Sequence, residues 1–284
     1  MTDIEYIRPL DLKQALDFLW DNGEDTRIIA GGTDVMVDIR SQGLDKKYLL
    51  DISRLEELKG IELKDEGLLV GAGVTLSEIY SSSILESHAL SLKKSAFNFA
   101  SRQIRNIATI GGNVAHSSPC GDTVPALLAH GAKALVADKK GSRLVSMEEM
   151  ATKAYMSCLS PKQILVKFIL TPYGEGFADF QKIGRRRELA VSRISMAVFV
   201  KKNSEGRISF LKIGLGACTP TPCNMEKVEL FLTGKVPTRE LIWEAGGLLA
   251  GNMIEITGRR SSAIYKEPAV QGLFMRILYP AVSL

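Results

Sequence analysis

The sequence predicts an α+β chain built in two parts. Short apolar strands alternate with helix-period segments up to about residue 173. Pro172-Tyr173-Gly174-Glu175-Gly176 then interrupts the pattern with strong turn formers. Beyond it, period-two strands dominate, as antiparallel pairing requires. The 284 residues suit two domains better than one. With 45% hydrophobic and 24% charged residues, such a chain buries a sizeable core without disulfide staples.

Taken in order, residues 4–7 (IEYI) read as a short strand. Asp11 caps a helix over LKQALDFLWDNG, with Leu12, Ala15, Leu16 and Leu19 on one face and Gly23 closing it. Arg27–Ala30 is a short strand that runs into Gly31-Gly32-Thr33-Asp34 and a helix from Val35 to Arg40. YLLDIS (48–53) is a strand. Between Gly60 and Gly73, two strands flank a turn at Asp65-Glu66-Gly67. A helix starts at Thr75 or Ser77. Residues 88–103 read as one longer amphipathic helix, and 104–122 as an irregular stretch rich in glycine and serine. PALLAHG is a short helix. KALVAD (133–138) is a strand ending in a Lys139-Lys140-Gly141 turn, and QILVKFIL (163–170) is another strand. In the second part, Met196–Val200 and Ile208–Ile213 alternate as antiparallel strands, and a helix covers 238–253.

Composition removes several functions. A net charge of +4 is too small and too scattered for a nucleic-acid binder. Cys120, Cys158, Cys218 and Cys223 form no CxxC pair, which points to reduced thiols rather than a zinc or iron–sulfur site. His88, His116 and His130 form no HExxH pattern and read as surface or satisfied core residues. The first residues lack the basic and apolar regions of a secretion signal, and no run of 18 apolar residues occurs. The expected location is the cytoplasm, with no membrane span.

Two glycine pairs carry the functional signal. Gly31-Gly32 stands between a strand and a helix start, followed by Thr33 and Asp34. Adjacent glycines there let backbone N–H groups approach an anion, and a helix dipole adds to the attraction. Asp34 would repel phosphate, so it is expected to cap the helix or hold the loop. The second pair lies in Ala108-Thr109-Ile110-Gly111-Gly112-Asn113. Neither matches GxGxxG or GxxxxGK[ST]. Two such loops suit one diphosphate clamped from two sides, which alone implies only some diphosphate nucleotide.

The order RIIAGGTD, QIRNIATIGGN, SPCGD resembles the FAD-binding subunit of the xanthine dehydrogenase and carbon monoxide dehydrogenase family of molybdenum hydroxylases. The YIRP start, LLDIS, GAGVTLSEI and KIGRRRELAVSRISMA extend the resemblance over the chain. It implies a vanillyl-alcohol-oxidase-type (PCMH-like) FAD-binding domain of two α/β subdomains, about 1–56 and 57–173. A C-terminal α+β domain over 174–284 follows.

The resemblance also implies site residues. Arg27, Ile28, Ile29 and Ala30 lead into Gly31, Gly32, Thr33 and Asp34, and this run wraps the diphosphate and ribitol. Thr109, Ile110, Gly111, Gly112 and Asn113 complete the cradle. Phe99 contacts the flavin nucleotide, Asp122 bonds a cofactor hydroxyl, and Leu165 offers a backbone contact near the adenine or the ring system. Lys182 sits near the flavin, where the Lys182 to Arg185–Arg187 stretch, otherwise a solvated basic face, would stabilise a reduced anionic ring or attract a nicotinamide dinucleotide; Arg185 and Arg186 are in the family's pattern, and Arg187 has no assigned role. One branch of the family carries a four-cysteine iron–sulfur insertion; the dispersed cysteines imply that this chain has none. No catalytic acid, base or metal ligand is implied. FAD is the cofactor expected on this chain, with [2Fe–2S] clusters and molybdopterin on an iron–sulfur subunit and a large subunit. NAD+ is the first acceptor considered, with quinone, ferredoxin and oxygen open. A stand-alone FAD-dependent reductase of the same fold is the alternative, and a scaffold without cofactor is disfavoured by the intact glycines.

Overall fold

The computed structural model describes residues 4–43, 45–186 and 189–282. The chain begins with β1 (Glu5–Ile7), α1 (Leu12–Asn22), β2 (Thr26–Ile29), α2 (Val35–Gln42) and β3 (Tyr48–Asp51). The strands form a parallel sheet in the order β1-β3-β2. The Asp11 carboxylate accepts the Gln14 N–H and starts α1, satisfying an orphan helix donor. Gly23 ends α1 but is right-handed, with φ −56°, and leads into a 3-10 turn over Gly23–Asp25. Glycine is needed there for room: a Cβ would lie 2.6 Å from the Pro161 carbonyl oxygen.

Next come β4 (Ile61–Lys64), β5 (Gly67–Gly71), α3 (Leu76–Ser81), α4 (Ser83–His88) and α5 (Leu90–Phe97). α6 (Arg102–Arg105), α7 (Ile110–His116) and α8 (Thr123–Ala129) follow. Then come β6 (Lys133–Asp138), β7 (Gly141–Ser146), α9 (Met147–Met150), β8 (Ala151–Lys153), β9 (Met156–Ser157) and β10 (Ile164–Leu170). β4-β5-β10-β6-β7 is an antiparallel sheet. One face packs on the core holding Leu92, Leu127 and Phe168; the other meets α1 through Ile164 and Val166. A bulge between Leu165 and Lys167 shifts the alternation, so Leu165 and Phe168 both reach the first core.

Two expected elements differ. The single helix over 88–103 is instead split: Ser82 caps α4, Ala89 (φ −150°) separates α4 from α5, and left-handed Ala100 (φ 41°) separates α5 from α6. The stretch expected to be irregular contains α7 with both glycines inside it. The Thr109 hydroxyl caps the Gly112 N–H, and Ile110 and Val114, four apart, bury one face. The Thr75 start of α3 is a capping box with Glu78.

The last part is a sheet of β11 (Phe177–Gly184), β12 (Ser192–Lys202), β13 (Ile208–Gly216) and β14 (Cys223–Asn224), antiparallel in that order. α10 (Glu226–Leu232), α11 (Arg239–Thr257) and α12 (Ala263–Val282) pack with it in a core containing Ile213, Leu249 and Phe274. α8 also packs against this sheet. Gly214 makes that possible, because a Cβ there would lie 2.0 Å from the Pro125 carbonyl oxygen. His130, expected on the surface or satisfied, is fully buried at the end of α8. Its Nε2 meets the Ser91 hydroxyl at 2.9 Å while Nδ1 has no partner, and burial pushes its pKa down to about 4. Among the described residues, no helix is long and apolar enough to cross a membrane.

Asp51 ties β1 to β3. Desolvation opposes its charge, but bonds from Ser53, Tyr6 and Arg8 outweigh this and hold the carboxyl at about 2. A depressed carboxyl stabilises fully above its unfolded value of 3.8 and loses that contribution as pH falls toward 2. Asp51→Asn is therefore expected to lower stability at neutral pH by on the order of 2 kcal/mol and to flatten the acid limb. Urea unfolding at neutral pH and below pH ~4 checks this; parallel acid limbs in both proteins would count against it.

Candidate cofactor site

Between the parallel sheet and the antiparallel sheet lies a cavity of about 320 Å³. β2 and the following loop contribute Arg27, Ile28, Ala30, Gly31, Gly32 and Thr33, with Asp34 at the start of α2. The opposite wall holds Thr109, Gly111, Gly112, Asn113 and His116. Phe99, Leu58, Ile52, Leu159 and Leu165 supply apolar surface. A cleft with apolar walls and a few convergent polar groups suits a flat-ringed nucleotide.

The first glycine loop is built for an anion. Among the hydrogen bonds of the described residues, the amides of Gly31, Gly32, Thr33, Asp34 and Val35 find no acceptor. They precede or open α2, where the dipole is positive. Gly32 has φ +72°, which favours glycine. Gly31 faces the second segment: a Cβ would lie 1.9 Å from the Ile107 carbonyl oxygen. The backbones of the two glycine segments are thus in direct contact. This donor set fits the diphosphate of a dinucleotide, and the apolar walls fit its rings.

The second loop behaves differently from expectation. Its amides are already used. Gly111 N–H donates to the Ala72 carbonyl at 2.8 Å, Gly112 N–H to the Thr109 hydroxyl, and Asn113 N–H to the Thr109 carbonyl. A Cβ on Gly111 would lie 2.6 Å from Ala72. This segment forms a close-packed wall rather than a second nest of free amides.

Several other expected residues also stand elsewhere. Ile29 and Ile110 do not line the cavity; Ile110 is wholly buried and its N–H donates to Val74. Asp122 and Lys182 are not lining residues either. The Lys182 ammonium donates to Asp122 at 2.6 Å, and the Ser192 hydroxyl donates to the other carboxylate oxygen at 2.5 Å. Burial pushes the Asp122 carboxyl up against the pull of Lys182. The pair joins α8 to β11. It stands next to the cavity wall, because the Thr123 hydroxyl donates to the Asn113 side chain at 2.7 Å. The Arg186 guanidinium donates to the Leu189 carbonyl, and Arg187 lies outside the described residues.

Asp34 makes no side-chain cap bond to α2. Its carboxylate instead approaches His116 Nε2 at 3.8 Å. Tyr155 also lines the cavity, edge-on to His116 at 5.3 Å between ring centroids. Sequence reasoning missed both residues. His116 follows the glycine pair at helical spacing, a signal hidden while 104–122 was read as irregular. No sequence signal marks Tyr155. No group of His, Cys, Asp and Glu among the described residues is arranged to hold a metal ion.

A cleft with free amides between two small sheets, followed by a separate antiparallel sheet, has the form of a nucleotide-cofactor protein. Residues 2–172 match the family model described as the FAD binding domain in molybdopterin dehydrogenase, and the chain belongs to that family. Residues 179–281 match the CO dehydrogenase flavoprotein C-terminal domain. The chain is 28% identical to the nicotinate dehydrogenase FAD-subunit of Eubacterium barkeri, over 98% of this chain and 95% of that protein. It is 31% identical to the xanthine dehydrogenase FAD-binding subunit of Escherichia coli O157:H7, over 79% and 77% of the two. The structure superposes on a chain of carbon monoxide dehydrogenase from Hydrogenophaga pseudoflava with a TM-score of 0.91, at 26% identity, covering 99% and 98% of the chains. The chain is an FAD subunit of the molybdenum hydroxylase family, and FAD is its cofactor.

The Gly31 contact gives a direct test. Gly31→Ala is expected to push the Ile107 backbone away and to weaken FAD binding at least about tenfold, with overpacking costing about 1–3 kcal/mol in stability. Flavin fluorescence titration and thermal unfolding measure the two effects. Unchanged affinity in a folded Gly31→Ala protein would refute the contact.

Proposed function

We propose that this chain is the electron exit of a molybdenum hydroxylase. In this reading, a molybdopterin-binding large subunit oxidises the substrate, and [2Fe–2S] clusters on a partner subunit deliver the electrons here. NAD+ is the acceptor favoured. FAD, when bound, supplies the chemistry of accepting electrons singly and releasing them as a hydride. The observation that carries the reading is the run of amides at 31–35 without acceptors, set in a cleft of a chain from the FAD subunit family.

The chain's own residues bind and orient. Arg27 and the loop through Asp34 hold the diphosphate end, with Thr109, Gly111, Gly112 and Asn113 as the packed opposite wall. Phe99 and Leu165 flank the flat rings and exclude water. Lys182, paired with Asp122 and two hydrogen bonds from Asn113 through Asp122 and Thr123, braces the wall beside the flavin. The organisation proposed is an FAD-binding domain over 1–173, with subdomains of about 1–56 and 57–173, and a C-terminal domain over 174–284. The names of the relatives carry nicotinate, xanthine and carbon monoxide. That variety supports substrate choice on another subunit. Four free cysteines suit a reducing cytoplasm. The family match weighs against a stand-alone reductase.

The test uses the FAD-loaded chain without oxygen. Added NADH is expected to bleach the flavin, the reverse of delivery to NAD+. Persistent yellow colour with NADH, together with bleaching by a reduced quinone or ferredoxin, would overturn NAD+ as acceptor. Tagged chain expressed in its native cell is expected to retain iron and molybdenum on purification; chain isolated alone would overturn the complex.

A further inference from the structure

The wall opposite the amide run holds an unassigned polar group. α7 ends at His116, and the next residue, Ser117, is left-handed with φ 51°. Its carbonyl accepts the Tyr155 N–H at 2.8 Å, and Tyr155 is itself left-handed with φ 61°. Neither residue is glycine, so both positions are strained. Their bonding sets the Tyr155 ring against the His116 imidazole at the cavity wall.

Charge decides what His116 does there. The diphosphate of FAD is doubly negative, and Asp34 adds a carboxylate to the same cavity. Among the described residues that line it, Arg27 and His116 alone can carry positive charge. Arg27 is already paired with Asp38 at 3.0 Å. His116 faces Asp34 from the α2 side and Tyr155 from the β8–β9 turn. α8 carries no ionisable side chain, and its cap Asp122 is committed to Lys182. β10 lines the cavity with Ile164 and Leu165, which are uncharged.

We infer that His116 is a cofactor-binding residue whose imidazole offsets the Asp34 carboxylate beside the bound diphosphate, with Tyr155 as its positioning residue. The inference rests on the FAD reading of this cavity and names a further residue within it.

The test is titration of the flavin-free chain with FAD at one fixed pH, followed by flavin fluorescence. His116→Gln is expected to bind FAD about tenfold more weakly than wild type, the worth of one charge-assisted contact. Adding Asp34→Asn to His116→Gln is expected to restore affinity, which a merely structural role for His116 would not allow. His88→Gln is expected to keep the wild-type affinity. Unchanged affinity in His116→Gln, or no rescue by Asp34→Asn, would overturn the inference while leaving the FAD site intact. Wild type that binds no FAD would overturn the cofactor site as well.

Discussion

The site depends on two backbones meeting where no side chain fits. Gly31 and the Ile107 carbonyl approach so closely that a single methyl group would overlap the oxygen. This contact joins the loop before α2 to the segment before α7. It leaves the amides of 31–35 pointing to no protein acceptor while the surrounding chain is bonded. Half-exposed amides without protein acceptors remain free to bond an anion.

A second seam fixes the remainder of the molecule to that site. Gly214 lets α8 lie against the C-terminal sheet, and Lys182 reaches from β11 to Asp122 at the head of α8. Such a buried pair gains little net stability, yet loss of one partner strands a charge. Its value is positional. It holds the C-terminal sheet against the wall that carries Asn113, one side chain away from the cleft.

Much of this was legible in the sequence, for identifiable reasons. Asp11 and Thr75 act through neighbours a few residues away, so local pattern reveals them; the Gly31-Gly32 pair is visible as a pair, but the Ile107 contact that requires Gly31 is far away in the chain. β13 begins with alternation because one face meets solvent there, whereas β12 is buried on both faces from Ile194 to Val200 and is a continuous apolar run apart from Ser195. The division of 83–105 into α4, α5 and α6, where one helix over 88–103 was expected, was not legible, since the break at Ala100 uses a left-handed alanine that no residue preference announces. α7 was hidden because glycine pairs argue against a helix; tertiary packing of Ile110 and Val114 overrides that preference. Asp122 and Lys182 were expected at the cofactor, whereas their mutual pairing spans 60 positions and is visible only in space. Tyr155 reaches the cavity through a turn whose partner, Ser117, is far away in the chain.

The central claim is that the amides of 31–35 receive the cofactor's diphosphate. Hydrogen exchange at those amides, compared in the free chain, with FAD and with riboflavin, tests it most directly. FAD is expected to slow exchange across Gly31–Val35, whereas riboflavin, which lacks the diphosphate, is expected to leave it near the free rate. Bound FAD that leaves these amides exchanging as in the free chain would contradict the account.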